Sequence, residues 1–247
     1  MALILIGTIH RTPEGYWVLK SLLERVSPEI IAVEFSPYGL RFRMKRGREL
    51  LERKRELPLS VKAFLEPPYE YRASRDYGRE KGVPVLLLDS SSLSRRFLKR
   101  TGEMLFVTNL KKISESSNPS WEEQVEREYK LARKLWDGGL NPLWFFRREK
   151  WDQRRERAIA RRLRQLLGRY PRRRIVYIGG WRHMLPYPGS LFDLLSDLSA
   201  ERLLLPPFPE KGLGKEEVFR GGDLDVAPVS LKERHLHPSS EEQPHIV

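Results

Sequence analysis

Short aliphatic blocks punctuate this chain at wide intervals. Residues 3–7, 30–35, 83–89, 174–179 and 202–205 are each apolar or β-branched and end in Gly, Asp, Pro or a polar residue, which reads as five strands. The blocks are continuous rather than alternating, so both faces of each strand are expected to be covered. That pattern belongs to an α/β fold, a mostly parallel sheet clothed in helices. Helical spacing fills the gaps. Residues 14–26 follow Pro13 and carry Trp17, Leu22 and Leu23 on the apolar stripe. Residues 40–57 form a strongly charged helix, and residues 69–81 form one that stops at Gly82. Trp121, Val125, Tyr129, Ala132 and Trp136 recur on one helical face until Asp137-Gly138-Gly139. Asn141-Pro142 then opens a second helix that runs to Gly168.

These elements predict one domain over residues 1–205. It has a central sheet of about five strands and an αα insertion, at about 119–168, before strand four. A short helix is expected from Gly189 to Leu198. Residues 206–247 hold six prolines and no sustained periodicity, so a mostly irregular C-terminal tail is expected there. His235, His237 and His245 lie in that tail and read as solvated.

Charge changes the picture. The chain has 46 Lys+Arg against 33 Asp+Glu, a formal net charge of +13. Residues 147–174 carry thirteen basic and three acidic residues, and residues 41–55 carry eight and two. Two readings follow: a solvated, thermophile-like surface, or a polyanion partner such as nucleic acid bound along the Arg-rich helices. Trp144, Phe145, Phe146 and Trp151 would supply base stacking in the second. The chain has no cysteine, which excludes disulfides, thiolate catalysis and cysteine-ligated clusters. Any metal must be held by His, Asp or Glu. No apolar run approaches the roughly 20 residues of a membrane span, and the first aliphatics lack the flanks of a signal segment. The expected location is cytoplasmic. Oligomeric state is left open.

Candidate chemistry gathers at the strand ends. Gly7-Thr8-Ile9-His10 and Gly180-Trp181-Arg182-His183 each follow an aliphatic strand. About 0.3 Gly-x-x-His matches are expected by chance from the composition, and two occur. In open α/β sheets ligands sit just beyond the carboxyl ends of strands, and glycine there lets backbone and ligand approach closely. Glu34 ends the second strand inside Ala-Val-Glu-Phe, where a carboxylate needs a partner or a metal. Two imidazoles and one carboxylate leave open coordination positions, the arrangement of a catalytic metal site. The alternative is structural: two hydrogen-bonded strand-end histidines, with Glu34 paired to an arginine. In the helix of residues 151–167, Arg154, Arg157, Arg161 and Arg164 fall on the solvated face. Arg155 falls on the apolar stripe, i+4 from Trp151, with Glu156 beside it. An inward arginine needs a partner, and Glu34, Asp89 or a bound anion would serve. Asp89 closes the third strand and reads as the N-cap of the next helix, with a supporting role behind the site as its alternative.

Taken together, LILIGTIH, PEIIAVEFSP, PVLLLDSSS, RRERAIA and IVYIGGWRHM resemble the TraB/PrgY family and its Tiki, EreA and ChaN-like relatives, over most of residues 1–200. The resemblance implies a divalent-metal-dependent, peptidase-like hydrolase in which metal-bound water attacks an amide or ester. His10, Glu34 and His183 would form the metal and catalytic set, and Arg155 and Glu156 a helix pair facing it. Glu34 would serve as third ligand or as general base. The TraB pattern places an arginine where this chain has Ser90, and another near Gly39, where the nearest is Arg41. Mn, Co, Fe and Zn all suit such a donor set. The rival readings are a nucleic-acid-binding protein or phosphodiesterase on the same scaffold, or an inactive member acting in signalling.

Overall fold

The computed structural model describes residues 2–12, 14–53, 57–99, 120–139, 141–142 and 150–207. Five parallel strands form one sheet in the order β3-β2-β4-β1-β5. They are β1 (Ala2–Thr8), β2 (Ile30–Val33), β3 (Val85–Leu87), β4 (Arg174–Gly180) and β5 (Glu201–Leu204). Alternate residues of the continuous apolar strands feed two separate cores. Leu3, Leu5, Ala32, Ile175 and Tyr177 pack on one face, against α8 (Lys150–Arg169) and α9 (Leu191–Leu194). Ile4, Ile6, Ile31, Val176 and Ile178 pack on the other, against α1 (Gly15–Val26) and α5 (Tyr69–Lys81). A strand buried on both faces has no polar side to alternate with, which is why its sequence is a solid block.

The remaining helices are α2 (Pro37–Phe42), α3 (Arg48–Arg53), α4 (Leu59–Leu65), α6 (Ser91–Leu98) and α7 (Trp121–Trp136). The charged helix expected over 40–57 starts earlier. Pro37 occupies its first turn and the Ser36 hydroxyl accepts from the Gly39 amide at 2.8 Å. A π turn over Arg43–Gly47 then separates α2 from α3. Neither α4 nor α6 was legible in the pattern. Trp17 is corrected: it is 37% exposed, and the buried positions of α1 are Gly15, Leu19 and Leu23. The αα insertion is present as α7 and α8 between β3 and β4. The short helix expected from Gly189 covers only Leu191–Leu194, followed by a 3-10 turn over Ser196–Leu198. Trp144, Phe145, Phe146 and the tail from residue 208, with its three histidines, lie outside the described residues. Among the described residues no helix is long and apolar enough to cross a membrane.

Candidate functional site

β1 and β4 are neighbours in register, Gly7 beside Gly179 and Thr8 beside Gly180. Their chains therefore leave the sheet side by side, and His10 and His183 follow at adjacent strand ends. β2 flanks β4 on its other side, and the Glu34 amide continues that ladder to the Ile178 carbonyl at 2.8 Å. Three distant sequence segments thus meet at one sheet edge, where ligands of open α/β sheets bind. The glycines make the meeting sterically feasible. A Cβ on Gly180 would stand 2.9 Å from His10 Nε2 and 3.4 Å from His183 Cδ2, so both rings rest against the same spot. A Cβ on Gly179 would stand 2.4 Å from Glu34 Oε2.

Each imidazole is braced at its Nδ1. His10 Nδ1 lies 2.7 Å from Glu70 Oε1, and the Thr8 hydroxyl lies 3.0 Å from the same oxygen. The other oxygen of Glu70 is buried without a hydrogen-bond partner among the described residues. His183 Nδ1 is held by Glu156, and its Nε2 lies 3.1 Å from Glu34 Oε1. Glu34 Oε2 accepts from the Gly180 amide at 2.8 Å. Arg155 reaches in from α8, as its place on the apolar stripe predicts. Its Nη2 contacts Glu34 Oε1 at 2.5 Å, and its Nε and Nη2 clasp both Asp89 oxygens at 2.9 Å. Asp89 is therefore the anchor of Arg155 and not the N-cap of α6. That cap position belongs to Ser90, whose side chain makes no capping bond. Arg162 bonds the carbonyls of Leu88 and Asp89 at the same strand end.

The charges act on one another strongly. Burial alone would raise the Glu34 carboxyl, but the charge of Arg155 and then the charge and hydrogen bond of His183 hold it far below the usual carboxylate range. Burial would lower His183, but Glu34 and Glu156 push it up to about 10. His10 is also raised: burial opposes, and the hydrogen bond and charge of Glu70 prevail. The His10 side chain is 56% exposed toward the cleft, against 19% for His183. Arg155 is raised above its ordinary value, its burial outweighed by Glu34 and Asp89.

His10, Glu34, His183, Arg155, Glu156 and Asp89 line or support a single site. Gly7 sits one residue back along the sheet, level with Gly179, where a Cβ would meet Trp136 at 2.9 Å. Glu70 was missed by sequence reasoning, although it shares the inward face of α5 with Ala73 and Tyr77 and is 3% exposed. Glu34 has both oxygens engaged by protein, and among the described residues no three His, Asp or Glu side chains are grouped so as to hold a metal ion. What the donor set offers a cation is two imidazoles, each with a carboxylate behind Nδ1. The site opens into a cleft of about 1000 Å³ whose walls also carry Arg11, Phe35, Arg43, Phe64, Tyr69 and Arg72. Comparison with known protein families, with curated proteins and with solved structures finds no match to this chain.

Proposed function

We propose that the protein is a divalent-metal-dependent hydrolase of amide or ester bonds, peptidase-like, with His10 and His183 holding the ion. The observation that supports this reading is the double brace: each Nδ1 rests on a carboxylate, Glu70 or Glu156, the way outer carboxylates orient metal-binding histidines, and an ion would take the place of the His183 Nε2 contact to Glu34. Four carboxylates (Glu34, Glu70, Asp89, Glu156) surround Arg155 and the two imidazoles, and a divalent ion on the imidazoles would take the place of the protons those carboxylates favour. When bound, the ion polarises a carbonyl and acidifies water. The chain's own groups do the rest. Arg155 and the Gly180 amide fix the Glu34 carboxylate and keep it ionised, so Glu34 would serve as a third ligand or as a weak base toward an attacking water. Asp89 holds Arg155 by a two-point clasp and so fixes Glu34 in turn. The TraB/Tiki resemblance supports the same assignment, with Mn, Co, Fe or Zn as candidates.

A second reading rests on Arg154, Arg157 and Arg161 of α8, which are exposed and make no ion pair among the described residues. They would attract a polyanion such as nucleic acid. That binding would weaken steeply with salt and would survive loss of both histidines. The deciding experiment for the hydrolase is elemental analysis, with peptide and ester hydrolysis, of untagged wild type, His10→Ala, His183→Ala and Glu34→Ala. One divalent ion per wild-type chain, lost in both histidine variants, is expected. Equal metal content in all four proteins overturns the assignment.

A further inference from the structure

The cleft holds arginines that the hydrolase reading leaves without work. Arg155 is spent on Glu34 and Asp89, and Arg182 on Glu128. Arg43 is different. Among the described residues its Nε and Nη1 bond only backbone carbonyls, of Phe64 at 3.1 Å and Gly39 at 3.3 Å. Its guanidinium lies between the rings of Phe35 and Phe64, 5.2 and 5.3 Å from their centres. No carboxylate pairs with it among the described residues; burial and the nearby charge of Arg11 together lower it to about 10. Arg11 makes no ion pair among the described residues, although the charges of Glu70 and Glu128 act on it, and its backbone stands at φ 66°. A non-glycine residue in that region is strained, and the strain is held by the Trp121 indole, which donates to the Arg11 carbonyl at 2.9 Å. Arg43 opens the π turn, an irregularity found often at functional sites. On the same cleft, Arg72 Nε is buried with no hydrogen-bond partner among the described residues, beside the ring of Tyr16. Glu66 is the acid on this wall without an ion pair among the described residues.

Two guanidiniums that line one cleft, one of them packed against two aromatic rings, form an incomplete site for an anion. We propose that the part of the cleft walled by Phe35, Phe64, Arg43 and Arg11 seats a carboxylate of the substrate, next to an apolar group that packs on the two rings. The planar carboxylate matches the guanidinium fork, and the rings exclude water around it. The word substrate rests on the hydrolase reading; the anion seat does not. The favoured substrate is then an amide or ester bearing a carboxylate beside an apolar moiety, as in a peptide with an apolar terminal residue.

The test uses the full chain in EDTA, so that no metal contributes. Binding of 4-phenylbutyrate, 4-phenylbutyramide and phenyl phosphate is measured by calorimetry on wild type, Arg43→Gln, Arg11→Gln and Arg48→Gln. Arg48 is an exposed control paired to Glu52. Wild type is expected to bind the carboxylate at least tenfold more tightly than the neutral amide. Both cleft variants are expected to lose at least tenfold, and the control nothing. Arg43→Gln also removes backbone bonds, so Arg11→Gln, whose side chain makes no such bond among the described residues, decides if the first variant folds poorly. Equal binding of acid and amide, or unchanged binding in Arg11→Gln, overturns the seat. A tenfold preference for phenyl phosphate overturns the carboxylate. A protein that binds 4-phenylbutyrate but takes up no metal sinks the hydrolase reading and leaves the seat standing. One that takes up metal and ignores every probe does the reverse.

Discussion

Arg155→Met removes the cation that joins two carboxylates while keeping much of the side chain's volume. Arg155 makes one contact of 2.5 Å to Glu34 and two of 2.9 Å to Asp89. The carboxylate side chains are 3% and 11% exposed, so water replaces little of what is lost. Breaking a buried pair by removing one partner costs about 3–5 kcal/mol, because the charge left behind is uncompensated. Here two charges are left behind. Glu34 retains His183 and the Gly180 amide, and Asp89 retains the Ser90 amide, which keeps the loss within that range. With a urea slope of about 2 kcal/mol/M, the unfolding midpoint should fall by about 2 M. Arg155→Lys keeps the charge but not the fork, and should lose less. A double-mutant cycle with Asp89→Asn should return a coupling of about 1.5 kcal/mol or more. A midpoint shift under about 0.3 M, or additive variants, would refute the claim that this guanidinium ties β2, β3 and α8 together at the site.

Other substitutions separate site from scaffold. Gly180→Ala introduces a methyl 2.9 Å from His10 Nε2, at a backbone conformation (φ −57°, ψ 133°) that alanine accepts. Metal uptake should drop at least tenfold while the circular dichroism spectrum is kept, and normal uptake would contradict the shared spot above Gly180. Glu70→Gln and Glu156→Gln should each weaken metal affinity about 10–100-fold, measured by chelator competition; wild-type affinity in both would remove the brace from the argument. The Tyr177 hydroxyl is fully buried beneath the site with no hydrogen-bond partner among the described residues. Tyr177→Phe should therefore leave stability unchanged or raise it by about 1 kcal/mol in urea titration; a loss of that size would reveal a partner.

Most of the sheet was legible because strands buried on both faces have nothing to encode but apolar volume. The adjacency of β1 and β4 was legible for a different reason: two chemically matched strand ends have a purpose only if they meet. Arg155 could be placed because an inward guanidinium breaks the stripe of α8, and its partners had been narrowed to Glu34, Asp89 or an anion before Glu34 and Asp89 proved to share it. The same stripe test applied to α5 would have flagged Glu70, which lies three positions before Ala73 and seven before Tyr77. It passed unnoticed as one acid in a helix rich in charge. The short helices α4 and α6 were illegible, since seven or eight residues show barely two turns of any periodicity. Trp17 was misread because a large aromatic near the stripe was taken as part of it, while the neighbouring Leu19 and Leu23 fill the core.

The central claim is that two imidazoles from neighbouring strand ends share one cation. Anomalous diffraction at the zinc edge, from crystals of wild-type protein soaked in zinc, addresses it directly. The account predicts a peak about 2.0–2.1 Å from both His10 Nε2 and His183 Nε2. A peak bound to only one of them, or elsewhere on the surface, would contradict it.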